Sequence, residues 1–254
     1  MPFFVAPTQR NYYDKQVSSY IYCLDEKKAV KVFLSSKYNI EYHKDEILDL
    51  LIKKYKKLNI SASTKIPNIT DFINSIDYTV SRIRFELNIP CDSTFSLNKL
   101  PLHLTSLSII CDKLEVPLNH LPPTLCSLQI KSSSSYDWPL DFLPTTLETL
   151  HIDTKYNLPL NNLPYNLKTL QIREIEIPNT LNCLPPHMKV LSIVEFYEFR
   201  FNNLPESLEE IAFPIKKHVS YNLYNDYEYL EQLKKDYPKI KILTHVSRSF
   251  PLDD

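Results

Sequence analysis

Apolar residues along this chain keep neither a helical nor a strand period over any long stretch, but their irregular spacing repeats. In LPPTLCSLQI, Leu121 to Ile130, apolar residues stand at the first, fifth, eighth and tenth positions, with proline second. The decamer recurs as LPLHLTSLSI at Leu100, LPTTLETLHI at Leu143, LPYNLKTLQI at Leu163, LPPHMKVLSI at Leu184 and LPESLEEIAF at Leu204. From Leu100 onward the starts lie 20 to 22 residues apart. A further copy, IDYTVSRIRF at Ile76, has lost the proline but keeps Ile76, Val80, Ile83 and Phe85, which brings the number of coils to seven. Three residues ahead of the starts stand Ile73, Leu97, Leu118, Leu140, Leu160, Leu181 and Phe201. Each is followed by Asn74, Asn98, Asn119, Asp141, Asn161, Asn182 or Asn202.

A unit of this length cannot bury a core alone, and it falls in the range where stacked coils bury one continuous apolar column. The pattern therefore predicts a solenoid. The last apolar pair of each decamer, such as Leu128 and Ile130, is separated by one residue, the period of a strand with one face buried. The Leu-Pro step fixes φ, removes a donor and extends the residue before it, so it predicts a turn or extended segment outside the ladder. Asparagine at one register of successive coils predicts side-chain hydrogen bonds to turn backbone that would otherwise be buried unsatisfied, an asparagine ladder.

Ahead of the decamers lie YNLPL (Tyr156 to Leu160), YDWPL (Tyr136 to Leu140), LEVPL (Leu114 to Leu118) and LNIP (Leu87 to Pro90). On these elements, over roughly residues 70 to 214, the chain resembles the FNIP repeat proteins, leucine-rich-repeat relatives abundant in social amoebae and in the giant viruses that infect amoebae. The resemblance implies an α/β, leucine-rich-repeat-like solenoid with a parallel sheet on its concave face. Two departures, Arg200 in place of the proline and residues 175–178 lying two positions too far from their decamer, predict bulged coils there.

The ends are expected to cover the solenoid. In NDYEYLEQLKKDYP, Asn225 to Pro238, the spacing of Tyr229, Leu230, Leu233 and Tyr237 predicts a helix stopped by Pro238, and KIKILTHV alternates like a last strand. At the other end, Asp14 to Leu24, Asp25 to Tyr38 and His43 to Leu58 carry apolar residues at helical spacing, which predicts a small helical bundle. Its order resembles an F-box: a helix ending in an aromatic and leucine, an acidic turn at Asp25 and Glu26, then an apolar helix closing in Ser-Lys-Tyr. That resemblance implies a Skp-type adaptor gripped by Val17, Tyr20, Ile21, Val32 and Phe33. The alternative is a plain cap that buries the same residues. The expected divisions are 1–66, an N-terminal helical domain; 67–214, the repeats; and 215–254, a C-terminal cap.

Composition narrows the chemistry. The formal net charge of −1 draws the chain to neither nucleic acid nor membrane, and residues 1 to 60 are only mildly basic, with 11 Lys and Arg against 7 Asp and Glu. With no glycine anywhere, glycine-rich phosphate loops are excluded, because close backbone approach to phosphate needs a residue without Cβ. Cys23, Cys91, Cys111, Cys126 and Cys183 are odd in number and lack CxxC spacing, so neither a disulfide framework nor a zinc site is indicated. Cys23 and Cys126 read as small buried apolar residues. The start MPFFVAPTQR lacks a basic n-region and a long apolar run, and no segment approaches a membrane span, so the expected location is intracellular, in the cytoplasm, or in the host cytoplasm if the source is viral.

His103, His120, His151 and His187 converge on no common point, so no metal, cofactor or general base is expected and the chain reads as non-enzymatic. The serine run Ser132 to Ser135 reads as a solvated connection. A better candidate is the surface formed by strand residues flanking the inward pairs. These are Arg82 and Arg84, Ser106 and Ser108, Ser127 and Gln129, Thr149 and His151, and Thr169 and Gln171, continued by Val190 and Ser192, then Glu210 and Ala212. Its middle is small and polar, which suits another protein chain. The expected function is thus a protein-interaction module, either the substrate-recognition subunit of a ubiquitin ligase or a solenoid without that link, such as a structural or virion scaffold or a host-factor decoy.

Overall fold

The computed structural model of the chain describes residues 4–5, 20–24, 29–34, 57–62, 82–87, 97, 100–175, 181, 183–196, 201, 203–212 and 223–243. Each of the seven decamers ends in one strand: β5 (Arg82–Leu87), β6 (Ser106–Cys111), β7 (Ser127–Ser132), β8 (Thr149–Lys155), β9 (Thr169–Ile175), β10 (Val190–Phe196) and β11 (Glu210–Ala212). All pair in parallel with their sequence neighbours. The sheet continues at both ends. Preceding β5 are β1 (Phe4–Val5), β2 (Tyr20–Leu24), β3 (Ala29–Leu34) and β4 (Lys57–Ala62), and β12 (Lys241–Leu243) follows β11, so twelve strands stand in sequence order.

Register follows the repeat. Ile83, Leu107, Leu128, Leu150, Leu170, Leu191 and Ile211 are successive partners in one column, and Ile109, Ile130, Ile152, Ile172 and Ile193 in the next. These residues are fully or almost fully buried, as are Leu97, Leu118, Leu140, Leu160, Leu181 and Phe201 ahead of the decamers and Leu104, Leu125, Leu147, Leu167, Met188 and Leu208 at their fifth positions. Among the described residues one core runs from Ile83 through Ile211, because successive coils supply the same inward set.

The turns show how the Leu-Pro step works. In every proline-bearing decamer the proline carbonyl accepts from the amide three residues on, as Pro144 O does from Leu147 N at 3.0 Å. The coil is then tied to the one before it by paired amides on one carbonyl: Glu148 N and Thr149 N both donate to Cys126 O, at 2.8 and 3.0 Å, and Lys168 N and Thr169 N both donate to Glu148 O. These bonds satisfy backbone at the strand entrance that no ladder partner could reach.

The polar ladder does not run where the asparagine register predicted. Asn119, Asp141 and Asn161 are exposed turn residues. Bonding falls instead to the fourth decamer position. Thr146 Oγ1 donates to Pro123 O at 2.7 Å and to Leu125 O at 2.9 Å, Ser207 Oγ to Pro186 O and Met188 O at 2.6 and 2.7 Å, and Asn166 Nδ2 to Thr145 O at 3.0 Å. A residue beside the fifth-position core Leu is close to the preceding coil's turn carbonyls, whereas the asparagines sit at the tip of a turn that faces water. Thr146→Ala should therefore cost about 0.5–1.5 kcal/mol, and Asn161→Ala should stay within about 0.5 kcal/mol. Urea unfolding of the two variants checks the order; the reverse order would restore the asparagine ladder.

The expected α/β architecture is corrected to a β-solenoid: among the described residues there is one helix, α1 (Leu223–Asp236). A coil with prolines at two points, Pro139 and Pro144 for example, has no uninterrupted stretch long enough for a helix behind the strand. α1 lies where the spacing predicted and packs Leu230 and Leu233 into the end of the core. Its Tyr229 hydroxyl accepts from Phe201 N at 2.8 Å.

The N-terminal helical bundle is a second correction. The described parts of its first two helices are strands, β2 within Asp14 to Leu24 and β3 within Asp25 to Tyr38. His43 to Leu58 lies outside the described residues except Lys57 and Leu58, which open β4. YIYCL and AVKVFL are rich in β-branched and aromatic residues, and in so short a run apolar spacing does not separate helix from strand. What decides is the open edge of the solenoid: β4 offers unpaired backbone, β3 takes it in parallel, and β2 and β1 follow antiparallel. The bulges expected near Arg200 and at residues 175–178 also fall outside the described residues, Ile175 excepted; a register shift occurs instead where Asp153 and Thr154 of β8 face one residue of β9.

Two tyrosines line the core behind the sheet. Tyr136 and Tyr156 are fully buried and stacked, with ring centroids 6.3 Å apart. Tyr136 donates its hydroxyl proton to Val116 O at 3.2 Å; the Tyr156 hydroxyl is buried without a hydrogen-bond partner. Tyr136→Phe should thus cost about 1 kcal/mol, while Tyr156→Phe should be neutral or stabilising, since it removes an unsatisfied group. Burial raises both hydroxyls above their ordinary value of 10, Tyr156 to about 12. The unfolded chain therefore loses these protons first, and stability falls as pH rises from about 10 toward 12. A wild-type alkaline unfolding midpoint matched by the double Phe variant would overturn that assignment.

Candidate partner-binding face

Alternation along β6 to β10 places one side of the sheet in the core and leaves the other turned outward. From Ser106 onward the predicted site residues occupy that outward face in two columns, and the backbone of Arg82 and Arg84 continues their register. The first runs Arg82, Ser106, Ser127, Thr149, Thr169, Val190, Glu210, and the second Arg84, Ser108, Gln129, His151, Gln171, Ser192, Ala212. At about 4.8 Å between strands, seven strands make a face about 30 Å long. Its first column is half-buried from Ser106 to Val190, and small enough for another chain to approach the sheet closely.

The second column is tighter than an open sheet suggests. Ser108 Oγ donates to Gln129 Oε1 at 2.9 Å across the strands, and His151, Gln171 and Ser192 are each only 8% exposed. Long polar side chains on neighbouring strands cover one another, so the second column forms the floor and the first the accessible rim.

The sequence reading missed the charged row beside these columns. Asp153, its side chain 7% exposed, lies between Lys131 at 3.0 Å and Arg173 at 3.7 Å, and Lys155 meets Glu174 at 3.6 Å. Further pairs bridge successive coils at the strand entrance, Glu148 with Lys168 at 2.8 Å and Lys189 with Glu209 at 2.6 Å. The signal was present as charged residues of opposite sign one repeat apart. The turns also expose Leu102, Phe142 and Tyr165, and Tyr165 meets His187 edge-on at 4.7 Å.

His103 and His187 share the fourth decamer position but stand four coils apart, and His120 and His151 belong to other registers. Among the described residues no group of three His, Cys, Asp or Glu is placed to hold a metal ion. Cys111 is buried, but Cys126, expected inside, is exposed, because the sixth decamer position precedes the alternating strand. Of the adaptor residues, Tyr20 pairs with Phe33 and Ile21 with Val32 as antiparallel strand neighbours, not on helices; Val17 lies outside the described residues. Among the described residues no helix is long and apolar enough to cross a membrane. Comparison with protein-family models and with curated proteins finds no match for the chain.

Proposed function

We propose that this chain is a non-enzymatic protein-interaction module, a repeat protein of the FNIP type in the cytoplasm, whose outward sheet face captures another protein. The observation that carries the reading is the continuous in-register column of small polar residues from Ser106 to Thr169, flanked by charges that are already paired. Small residues leave backbone and hydroxyl groups within reach of a partner, while the paired charges set its register at little cost in desolvation.

The ubiquitin-ligase link depended on helices presenting Tyr20, Ile21, Val32 and Phe33, and these residues lie instead on paired antiparallel strands. The module is therefore proposed without the adaptor. A direct pull-down with a Skp-type protein is expected to yield nothing, and stoichiometric binding would reinstate the link.

Affinity capture tests the face. Ser127→Arg with Thr169→Arg should remove the captured partner while the melting temperature stays close to wild type, since surface changes cost within about 0.5 kcal/mol. Tyr165→Ala with Glu206→Ala, on the exposed turns, should leave capture intact. If the turn variant loses the partner and the face variant keeps it, the binding surface is the turn ridge and the solenoid is better read as a scaffold.

A further inference from the structure

We infer that Arg173 is the docking point for a single carboxylate, an acidic side chain in an extended segment of the partner, a statement that rests on the partner-face reading above. Beyond the second column of the outward face, Lys131, Asp153 and Arg173 follow one another on β7, β8 and β9, each next to a core isoleucine, Ile130, Ile152 or Ile172. Two cations thus share one acid. The other pairs that bridge coils are one to one: Glu148 with Lys168 at 2.8 Å, Lys189 with Glu209 at 2.6 Å and Glu210 with Lys241 at 2.8 Å. Register decides which cation is left short. Lys131 is the direct strand partner of Asp153 and reaches it at 3.0 Å. The extra residue in β8 sets Asp153 and Thr154 together against Arg173, and Thr154 gives its hydroxyl proton to Ser134 O. Arg173 Nη1 therefore stays 3.7 Å from Asp153 Oδ1, beyond hydrogen-bond reach.

Among the described residues no hydrogen bond reaches the Arg173 guanidinium, and its side chain is 45% exposed. Its five N–H donors form a planar fork that a carboxylate can engage through both oxygens at once. The charge count selects the ligand. Lys131 and Arg173 against Asp153 leave one positive charge, which one carboxylate neutralises. A phosphate group, at about −1.5 to −2, would leave excess negative charge beside Asp153, whose burial keeps it poorly screened. Nucleic acid is a poorer fit still, because its affinity scales with the number of phosphates neutralised. The apolar surroundings narrow the class further. Val194 stands opposite Arg173 on β10, between the pairs Ile193–Ile172 and Glu195–Glu174, and is half-buried, as is Val190 on the rim. In an extended segment, alternate side chains turn to the same side. An acidic residue with apolar residues two positions before and after it would thus meet Arg173 and cover the valines.

The test uses the full chain and a labelled, end-blocked peptide Ser-Val-Ser-Glu-Ser-Val-Ser, with Gln or phosphoserine replacing Glu in two controls, read by fluorescence anisotropy at low salt. The Glu peptide is expected to bind, the Gln peptide to bind at least about tenfold more weakly, and the phosphoserine peptide to bind no tighter than the Glu peptide. Arg173→Gln should weaken the Glu peptide about tenfold. Asp153→Asn raises the surplus to two charges, so it should tighten the Glu peptide and turn the preference toward phosphoserine. Equal binding of the Glu and Gln peptides, tighter phosphoserine binding by the wild-type chain, or no effect of Arg173→Gln overturns the inference. Should the Asp153 variant fail to fold, Lys131→Gln decides: it removes the surplus, so it should weaken the Glu peptide and leave the Gln peptide unchanged. Unchanged binding of the Glu peptide by that variant overturns the inference. If the Glu peptide does not bind while Ser127→Arg with Thr169→Arg still abolishes partner capture, the Arg173 site falls and the partner face stands. If capture survives that face variant, the reading beneath it falls too.

Discussion

Replacing Leu150 by alanine is expected to cost about 2–5 kcal/mol, a large share of the roughly 5–15 kcal/mol by which a domain is stable. Leu150 has no exposed surface and stands between Leu128 and Leu170 in the central column, and Leu147 of the same coil is also fully buried. Its neighbours are locked by the strand register on both sides, so the cavity cannot close by a local shift. Because each coil touches only its neighbours, the loss falls on two coil interfaces at once and separates the solenoid into two shorter stacks. Equilibrium unfolding in urea should show a lower midpoint together with a broadened or split transition. Ile211→Ala, near the C-terminal end, should fray that end and leave the central transition sharp. If both variants unfold in one transition of unchanged slope, the coils are coupled far more strongly than nearest neighbours require.

The C-terminal closure carries the second large effect. Leu230 and Leu233 of α1 are 6% and 2% exposed and join the same core as Phe201, Leu204, Leu208 and Ile211. Leu230→Asp with Leu233→Asp would bury two unpaired carboxylates at about 2–7 kcal/mol each for the polar groups alone, or release α1 and expose the last coil. The expected result is a large fall in melting temperature with concentration-dependent association, visible by light scattering, since the uncovered end is apolar and β11 would lose β12 as its edge partner. Acidification should partly rescue the variant, because protonated carboxyls are cheaper to bury than charged ones. A monomeric variant with near-native stability would show that α1 is dispensable as a cap.

The outward face and the charged row depend on the same register but differ in how they could be read. Ser106, Ser127, Thr149 and Thr169 were recognisable because each flanks an inward apolar pair at a fixed offset, so the repeat alone assigns them to one column. That His151 and Gln171 are nearly covered was not recognisable, because coverage depends on the length and direction of side chains on adjoining strands. The Asp153 pairs depend in addition on the extra residue in β8, which shifts Asp153 and Thr154 relative to β9.

The sequence by itself determined the strands that end the decamers, the columns of Leu and Ile that fill the core, the turns at Leu-Pro and the C-terminal helix. These features follow from local covalent constraint and from a period repeated often enough to average out exceptions. Tertiary structure alone decided which polar residue ties the turns together, since Thr146 rather than Asn161 meets the carbonyls of the preceding coil. It also decided the state of the N-terminal segments. YIYCL and AVKVFL carry apolar spacing compatible with either helix or strand, and the unpaired edge of β4, built from residues distant in sequence, makes the extended form the one whose backbone hydrogen bonds are satisfied.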